Sequence, residues 1–211
     1  MTPGPGLRLL LVDDHYIVRL GLASLLGKEP DLHVVAEAAD GDEALLAYRE
    51  HRPDVVLMDV RMPGRNGVAA VELIRAEFPA ARILMLTTYD GDEDIHRALQ
   101  AGASGYLLKD SAPVELLTGI RTVAAGQCFL PPAVQARLNE RNPESTLTPR
   151  ELEVLELVTK GLHNREIGTI LGFTENTAKW HLKNILRKLE VADRTEATAA
   201  ALQRGILHLE E

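Results

Sequence analysis

The chain has 211 residues, 45% of them hydrophobic, and a formal net charge of −8. That length holds one large or two small domains with real cores, and the acidic balance argues against a surface coated in nucleic acid. A single cysteine, Cys128, excludes an intrachain disulfide and any cysteine-rich metal motif. A cytoplasmic setting is expected, since no apolar run suits a signal peptide or a membrane span.

Along the first part, short apolar runs alternate with amphipathic stretches. The runs LRLLLV (7–12), LHVVAEA (32–38), DVVLMD (54–59), RILMLT (82–87) and SGYLLK (104–109) read as strands. Helical patterns lie between and after them, at about 15–28, 41–51, 67–78, 92–101 and 113–125. Five successive βα units predict an α/β doubly wound fold, a five-stranded parallel sheet with helices on both faces. The segment GQCFLPPAVQARLNERNPEST carries two prolines, a short amphipathic stretch and a polar tail, and reads as a linker over 126–146. Residues 1–125 are therefore taken as one domain and 147–211 as a second, all-α one.

In the second domain, LTPRELEVLELVTKG begins with Thr148 as N-cap, Pro149 at the first helical position and Glu151 at the capping-box position. Asn164 is expected to cap a second helix ending at Gly172, and Thr174 a third, ENTAKWHLKNILRKL. Two short helices joined by GFT suggest a helix-turn-helix. The charge is uneven: residues 1–146 carry 14 basic and 21 acidic side chains, residues 147–211 carry 9 and 10. Within 176–189 lie Lys179, Lys183, Arg187 and Lys188 and no acid. Lys179, Lys183 and Arg187 recur every four residues as one stripe with Trp180 beside it, a pattern suited to DNA phosphates and base edges.

The ends of the strands carry the chemistry. Asp13 and Asp14, Asp59, Thr87 and Lys109 all fall at carboxyl ends, the edge where open parallel sheets form ligand sites. Three carboxylates repel one another unless a cation joins them, and hard oxygen donors suit Mg²⁺ or Mn²⁺. A lysine adds positive charge for a phosphoryl oxygen, a hydroxyl adds a donor, and a carboxylate can itself be the nucleophile that becomes an acyl phosphate.

The motifs VDDH (12–15), VLMDVRMPGRNG (56–67), LTTYD (86–90) and AGASGYLLKD (101–110), in that order, resemble the flavodoxin-like receiver domain of bacterial two-component response regulators. Residues 147–197 resemble the LuxR-type helix-turn-helix, so the whole chain is similar to the NarL/FixJ family. The resemblance implies a transcription regulator and not an enzyme. Asp59 would be the phosphoacceptor, with Asp13, Asp14, Asp59 and the backbone carbonyl of Arg61 holding the metal. Thr87 and Tyr106 would be the switch pair, Tyr106 turning inward on phosphorylation, and Lys109 the phosphate partner. Arg61 and Tyr89 would flank the phosphoryl group. The implied partners are a sensor histidine kinase and double-stranded promoter DNA, the latter met by Lys179, Trp180, Lys183, Arg187 and Lys188. A homodimer is expected through the last helix, along Ala197, Ala200, Ala201 and Arg204. The chain departs from the family at Asp110, Trp180 and Glu190. A Mg²⁺-dependent hydrolase of the haloacid-dehalogenase kind also places an Asp after a strand, but needs a second acid two residues on, where Arg61 stands. A pure interaction module would have no use for a capped, basic helix-turn-helix.

Overall fold

The computed structural model describes residues 6–88, 91–140 and 146–207. It divides into two compact units, the first running to Leu138 apart from Gly91–Glu93, which group with the second. Tyr89 and the polar tail of the linker at 141–145 lie outside the described residues.

In the first unit, β1 (Leu7–Val12), β2 (Leu32–Ala38), β3 (Val55–Asp59), β4 (Ile83–Thr87) and β5 (Gly105–Leu108) form one parallel sheet of order β2-β1-β3-β4-β5. The helices α1 (Tyr16–Leu26), α2 (Gly41–His51), α3 (Gly67–Glu77), α4 (Asp92–Ala101) and α5 (Pro113–Ala124) connect or follow them. Because both faces are covered, the central strands are continuous apolar runs rather than alternating ones. Alternate residues nevertheless serve different cores. Leu9, Leu11, Leu57, Leu84, Leu86 and Leu107 pack with Leu26 of α1 and with Leu116, Ile120 and Val123 of α5. Leu10, Val12, Val56, Met58, Met85 and Tyr106 pack with Tyr48 of α2, Ile74 of α3 and Ile95 of α4. The strand order reverses between β1 and β3, so the ends of these two strands open the crevice in which ligands bind in such sheets.

The segment read as linker is in part a piece of this unit. Phe129 bridges to Gly105, its N–H donating to the Ser104 carbonyl at 3.1 Å and its carbonyl accepting from Tyr106 at 3.0 Å. Helix α6 (Pro132–Glu140) follows and buries Val134 in the core beside α4. The first unit thus extends past residue 125, because a backbone edge at β5 and an apolar hollow were there to be covered. Cys128 is exposed.

The second unit comprises α7 (Pro149–Thr159), α8 (Asn164–Leu171), α9 (Glu175–Leu189) and α10 (Arg194–Gln203). The Thr148–Glu151 capping box forms as expected: the Thr148 N–H donates to Glu151 Oε2 at 2.8 Å and the Glu151 N–H to Thr148 Oγ1 at 3.3 Å. Asn164 does not cap α8. The N-cap is His163, whose N–H is taken by Glu166 Oε2 at 2.7 Å, and Asn164 is the first helical residue. Gly172, at φ +73°, ends α8 in the left-handed conformation, and Thr174 accepts from the Thr177 N–H at 3.2 Å to start α9. Val154, Leu155, Val158, Ile167, Ala178, Ile185 and Leu189 form the core.

Helix α9 ends on Glu190 at φ +58°, a left-handed position where an L side chain is strained. Replacing Glu190 with glycine is expected to stabilise the second unit by about 0.5–1 kcal/mol, since glycine reaches this conformation without a Cβ clash. Thermal unfolding of the variant, with a higher midpoint, checks it.

Candidate functional site

Asp13 follows β1 and Asp59 ends β3, the two strands at the switch point. Both are almost fully buried, at 2% and 4% exposure. Lys109, just past β5, reaches between them, its Nζ 2.6 Å from Asp13 Oδ2 and 2.7 Å from Asp59 Oδ2. Its own N–H donates to the Thr87 carbonyl at 2.6 Å, which holds its backbone against β4. Burial pushes the Asp59 carboxyl above the ordinary carboxylate range, against the pull of Lys109 and of a hydrogen bond from the Arg61 backbone. Burial also works to lower the Lys109 ammonium, but its bonds to Asp13 and Asp59 outweigh that and leave it raised. The lysine therefore stays charged.

Donor atoms of Asp13, Asp14, His15 and Asp59 all lie within 4.8 Å of one another. His15 follows the acid pair in VDDH. It is the N-cap residue of α1, exposed, but its Nδ1 also sits 2.8 Å from Asp14 Oδ1. Its neighbourhood to the acid pair in VDDH was the available signal. Three carboxylates against one lysine leave an excess of negative charge, and their oxygens converge as ligands of a hard divalent cation do.

Thr87 and Tyr106 are wholly buried behind this cluster. Burial, then the charge of Asp94, push the Tyr106 phenol far up, while a hydrogen bond with Thr87 opposes them. Tyr106 was expected to turn inward on phosphorylation; its ring is already packed in the core with its hydroxyl on Thr87. Arg61 points toward α4, its guanidinium 3.6 Å from buried Asp94. Asp94 was not foreseen, because DGDEDIH reads as a solvated acidic run in which no periodicity singles out one member.

Gly67, where the sequence pattern of the third helix begins, is the first residue of α3 and lies against the site. A Cβ there would fall 1.9 Å from the Asp59 carbonyl oxygen. No side chain can be accommodated without moving the end of β3. Gly67→Ala is expected to destabilise the first unit by about 1–3 kcal/mol, since the end of β3 must shift to admit the methyl group. Thermal unfolding, with a lower midpoint for the variant, would measure it.

In the second unit, the outer face of α9 carries Asn176, Lys179, Trp180, Lys183 and Arg187, all exposed. Lys179 also pairs with Glu175 at 2.9 Å, a solvent-exposed contact of little energetic weight.

The model for the response regulator receiver domain matches residues 9–121, and that for the luxR family of bacterial regulatory proteins matches residues 145–201. The chain is a LuxR-type two-component response regulator. This response regulator is 37% identical to the response regulator protein VraR of Staphylococcus aureus, over 95% of this chain and 99% of VraR. The crystal structure of the response regulator ChrA, from a heme-sensing two-component system, is 38% identical, covers 97% of this chain and all of that one, and superposes with a TM-score of 0.59. A structure of two RcsB dimers bound to two parallel DNAs is 25% identical over 94% of this chain and 98% of that one, with a TM-score of 0.70. The family is one of transcription regulators rather than of classical enzymes. Among the described residues, no helix is long and apolar enough to cross a membrane.

Two sets of residues expected at binding surfaces of the response regulator's second unit lie inward. Lys188, expected among the DNA contacts, has its Nζ 2.6 Å from the buried Glu151 carboxylate and 3.1 Å from the Thr146 carbonyl. One step round the helix from Arg187, it falls on the edge of the buried face and is used to neutralise an acid there. Ala197 and Ala201 cannot form a dimer surface, because both are fully buried in the unit's own core. The small face of α10 serves close packing on α7 and α9; Ala200 and Arg204 are partly exposed.

The Glu151 carboxyl is held below its ordinary value of 4.5: burial acts to raise it, and Lys188 and Thr148 more than offset this. The stability it contributes is present above pH 4.5 and is lost as pH falls through the lower, folded-state value. Lys188→Met is expected to destabilise the second unit by about 3 kcal/mol at neutral pH and to flatten this acid limb. Thermal melts at a series of pH values check both.

Proposed function

We propose that Asp59 accepts a phosphoryl group from a sensor histidine kinase, and that the chain then binds promoter DNA as a homodimer through α9 in the cytoplasm. The observation that carries the reading is the pairing of a buried strand-end carboxylate, Asp59, with Lys109 at 2.7 Å, next to a second buried acid. A carboxylate so placed is dry enough to be a nucleophile and is held in one orientation. Its oxygen attacks the phosphorus of the phosphohistidine. The P–N bond breaks, the imidazole leaves with the electron pair and picks up a proton, and an acyl phosphate remains. Lys109 and the Arg61 N–H meet the charge on the phosphoryl oxygens. Asp13, Asp14 and Asp59, with the backbone carbonyl at Arg61, would hold Mg²⁺ or Mn²⁺, and the unbalanced charge of the three acids fits that ion. When bound, it spreads the charge of the transferring group.

Thr87 is the donor behind the acceptor, and Tyr106, on its hydroxyl, is the group that carries a change at Thr87 into the α4 core. On the DNA side, Lys179, Lys183 and Arg187 would meet phosphates or guanine edges, with Trp180 among them. The RcsB dimers seated on DNA support a dimeric assembly, here by a surface other than Ala197 and Ala201.

Incubation with a small phosphodonor and Mg²⁺ is expected to add one phosphoryl group to the wild-type chain and none to Asp59→Asn, read by intact mass. A phosphoryl group retained on the Asn variant would sink the assignment.

A further inference from the structure

Trp180 is the one tryptophan in the chain. It is 60% exposed, on a helix whose other large apolar residues face inward. A single exposed apolar side chain is ordinary on a protein surface. What sets this one apart is its company. Asn176, Trp180, Lys183 and Arg187 stand at i, i+4, i+7 and i+11 of α9, one line down the outer face, and the other three are polar.

The indole is also held in place. The His181 ring meets it edge to face, centroids 4.9 Å apart at 74°. Behind His181 lies Phe173, 5.5 Å away, and the Arg150 guanidinium lies over Phe173 at 4.7 Å. His181 Nδ1 is buried and makes no hydrogen bond, so ring packing rather than a bond at that nitrogen fixes the imidazole. A row of rings thus runs out from the turn between α8 and α9 and ends on an ordered indole.

An ordered indole amid cations, on the face that enters a major groove, has few acceptable neighbours. Base edges there are hydrogen-bonding groups, and covering them with an apolar ring desolvates them without replacement. The exception is the C5-methyl of thymine, which an apolar side chain can cover with gain on both sides. We propose that Trp180 reads a thymine methyl in each half-site, and so is a specificity-determining residue. The proposal rests on the DNA-binding reading above and deepens it.

The test uses the full-length phosphorylated protein and duplexes selected by it from a random pool. Each thymine of the selected site is replaced in turn by deoxyuridine, which removes only the methyl. One position per half-site is expected to lose about fourfold in affinity, the worth of one buried methyl group. With Trp180→Gln the same replacement is expected to have no effect, while Trp180→Phe retains part of it. Because Trp180 is the sole tryptophan, its emission is expected to differ between the thymine and deoxyuridine duplexes. Enriched duplexes in which no thymine can be distinguished from deoxyuridine, or an effect equal in Trp180→Gln, would overturn the assignment and leave DNA binding standing. Failure to enrich any duplex would overturn the DNA-binding reading itself.

Discussion

Lys109 stands between two buried carboxylates, and most of the first unit is arranged so that it can. Asp13 follows β1 and Asp59 ends the adjacent β3, so the sheet brings them together whether or not their charges favour it. Left alone they would repel in a poorly solvated place, at a cost of several kcal/mol. The ammonium contacts both at under 3 Å and is itself tied to β4 through its backbone. Since one cation cannot balance Asp13, Asp14 and Asp59, the cluster keeps a residual negative charge. That residue is the physical basis for a divalent ion, and for a site whose charge a phosphoryl group would change sharply.

The rest of the site is continuous with the core. Gly67 brings α3 against the Asp59 carbonyl, so the backbone of Asp59 is clamped by a contact that no side chain could make. Thr87 and Tyr106 sit in the apolar layer that also holds Ile95 of α4. Arg61 links the loop after β3 to Asp94 on the same helix. A shift at Asp59 would therefore have two routes into α4, one through the packed Tyr106 ring and one through an ion pair. Packed interiors move between discrete arrangements rather than deforming smoothly, which is what a switch requires.

The second unit divides its basic residues between fold and surface. Lys188 is spent inside, where it balances the capping-box acid of α7 and so ties the first helix to the third. Lys183 and Arg187 remain outside. In so small a unit the buried Lys188–Glu151 ion pair, the side-chain caps of α7, α9 and α10 and the apolar cluster contribute to stability. The small residues of α10 are likewise consumed by that cluster, which leaves other surfaces for assembly.

The strands and helices were readable from the chain because burial imposes a period: near-continuous apolar runs for strands covered on both faces, and i, i+4, i+7 spacing for helices. The strand-end carboxylates and Lys109 were readable too, since a parallel sheet delivers all its carboxyl ends to one edge. Helix caps followed from local backbone chemistry, with His163 for Asn164 the one shift among those of α7 to α9. Tertiary structure alone decided what lies at the margins of those patterns. Lys188 and Arg187 are neighbours in a basic run, and only the position of Glu151 on another helix turns one inward. Ala197 and Ala201 could face a partner chain or their own core, and the packing of α10 chose the core. Phe129 and Val134 belong to the first unit because an open backbone edge and an apolar hollow were there to receive them. Periodicity determines that a residue lies on a face. What that face meets depends on residues distant in sequence, and so only the folded chain determines it.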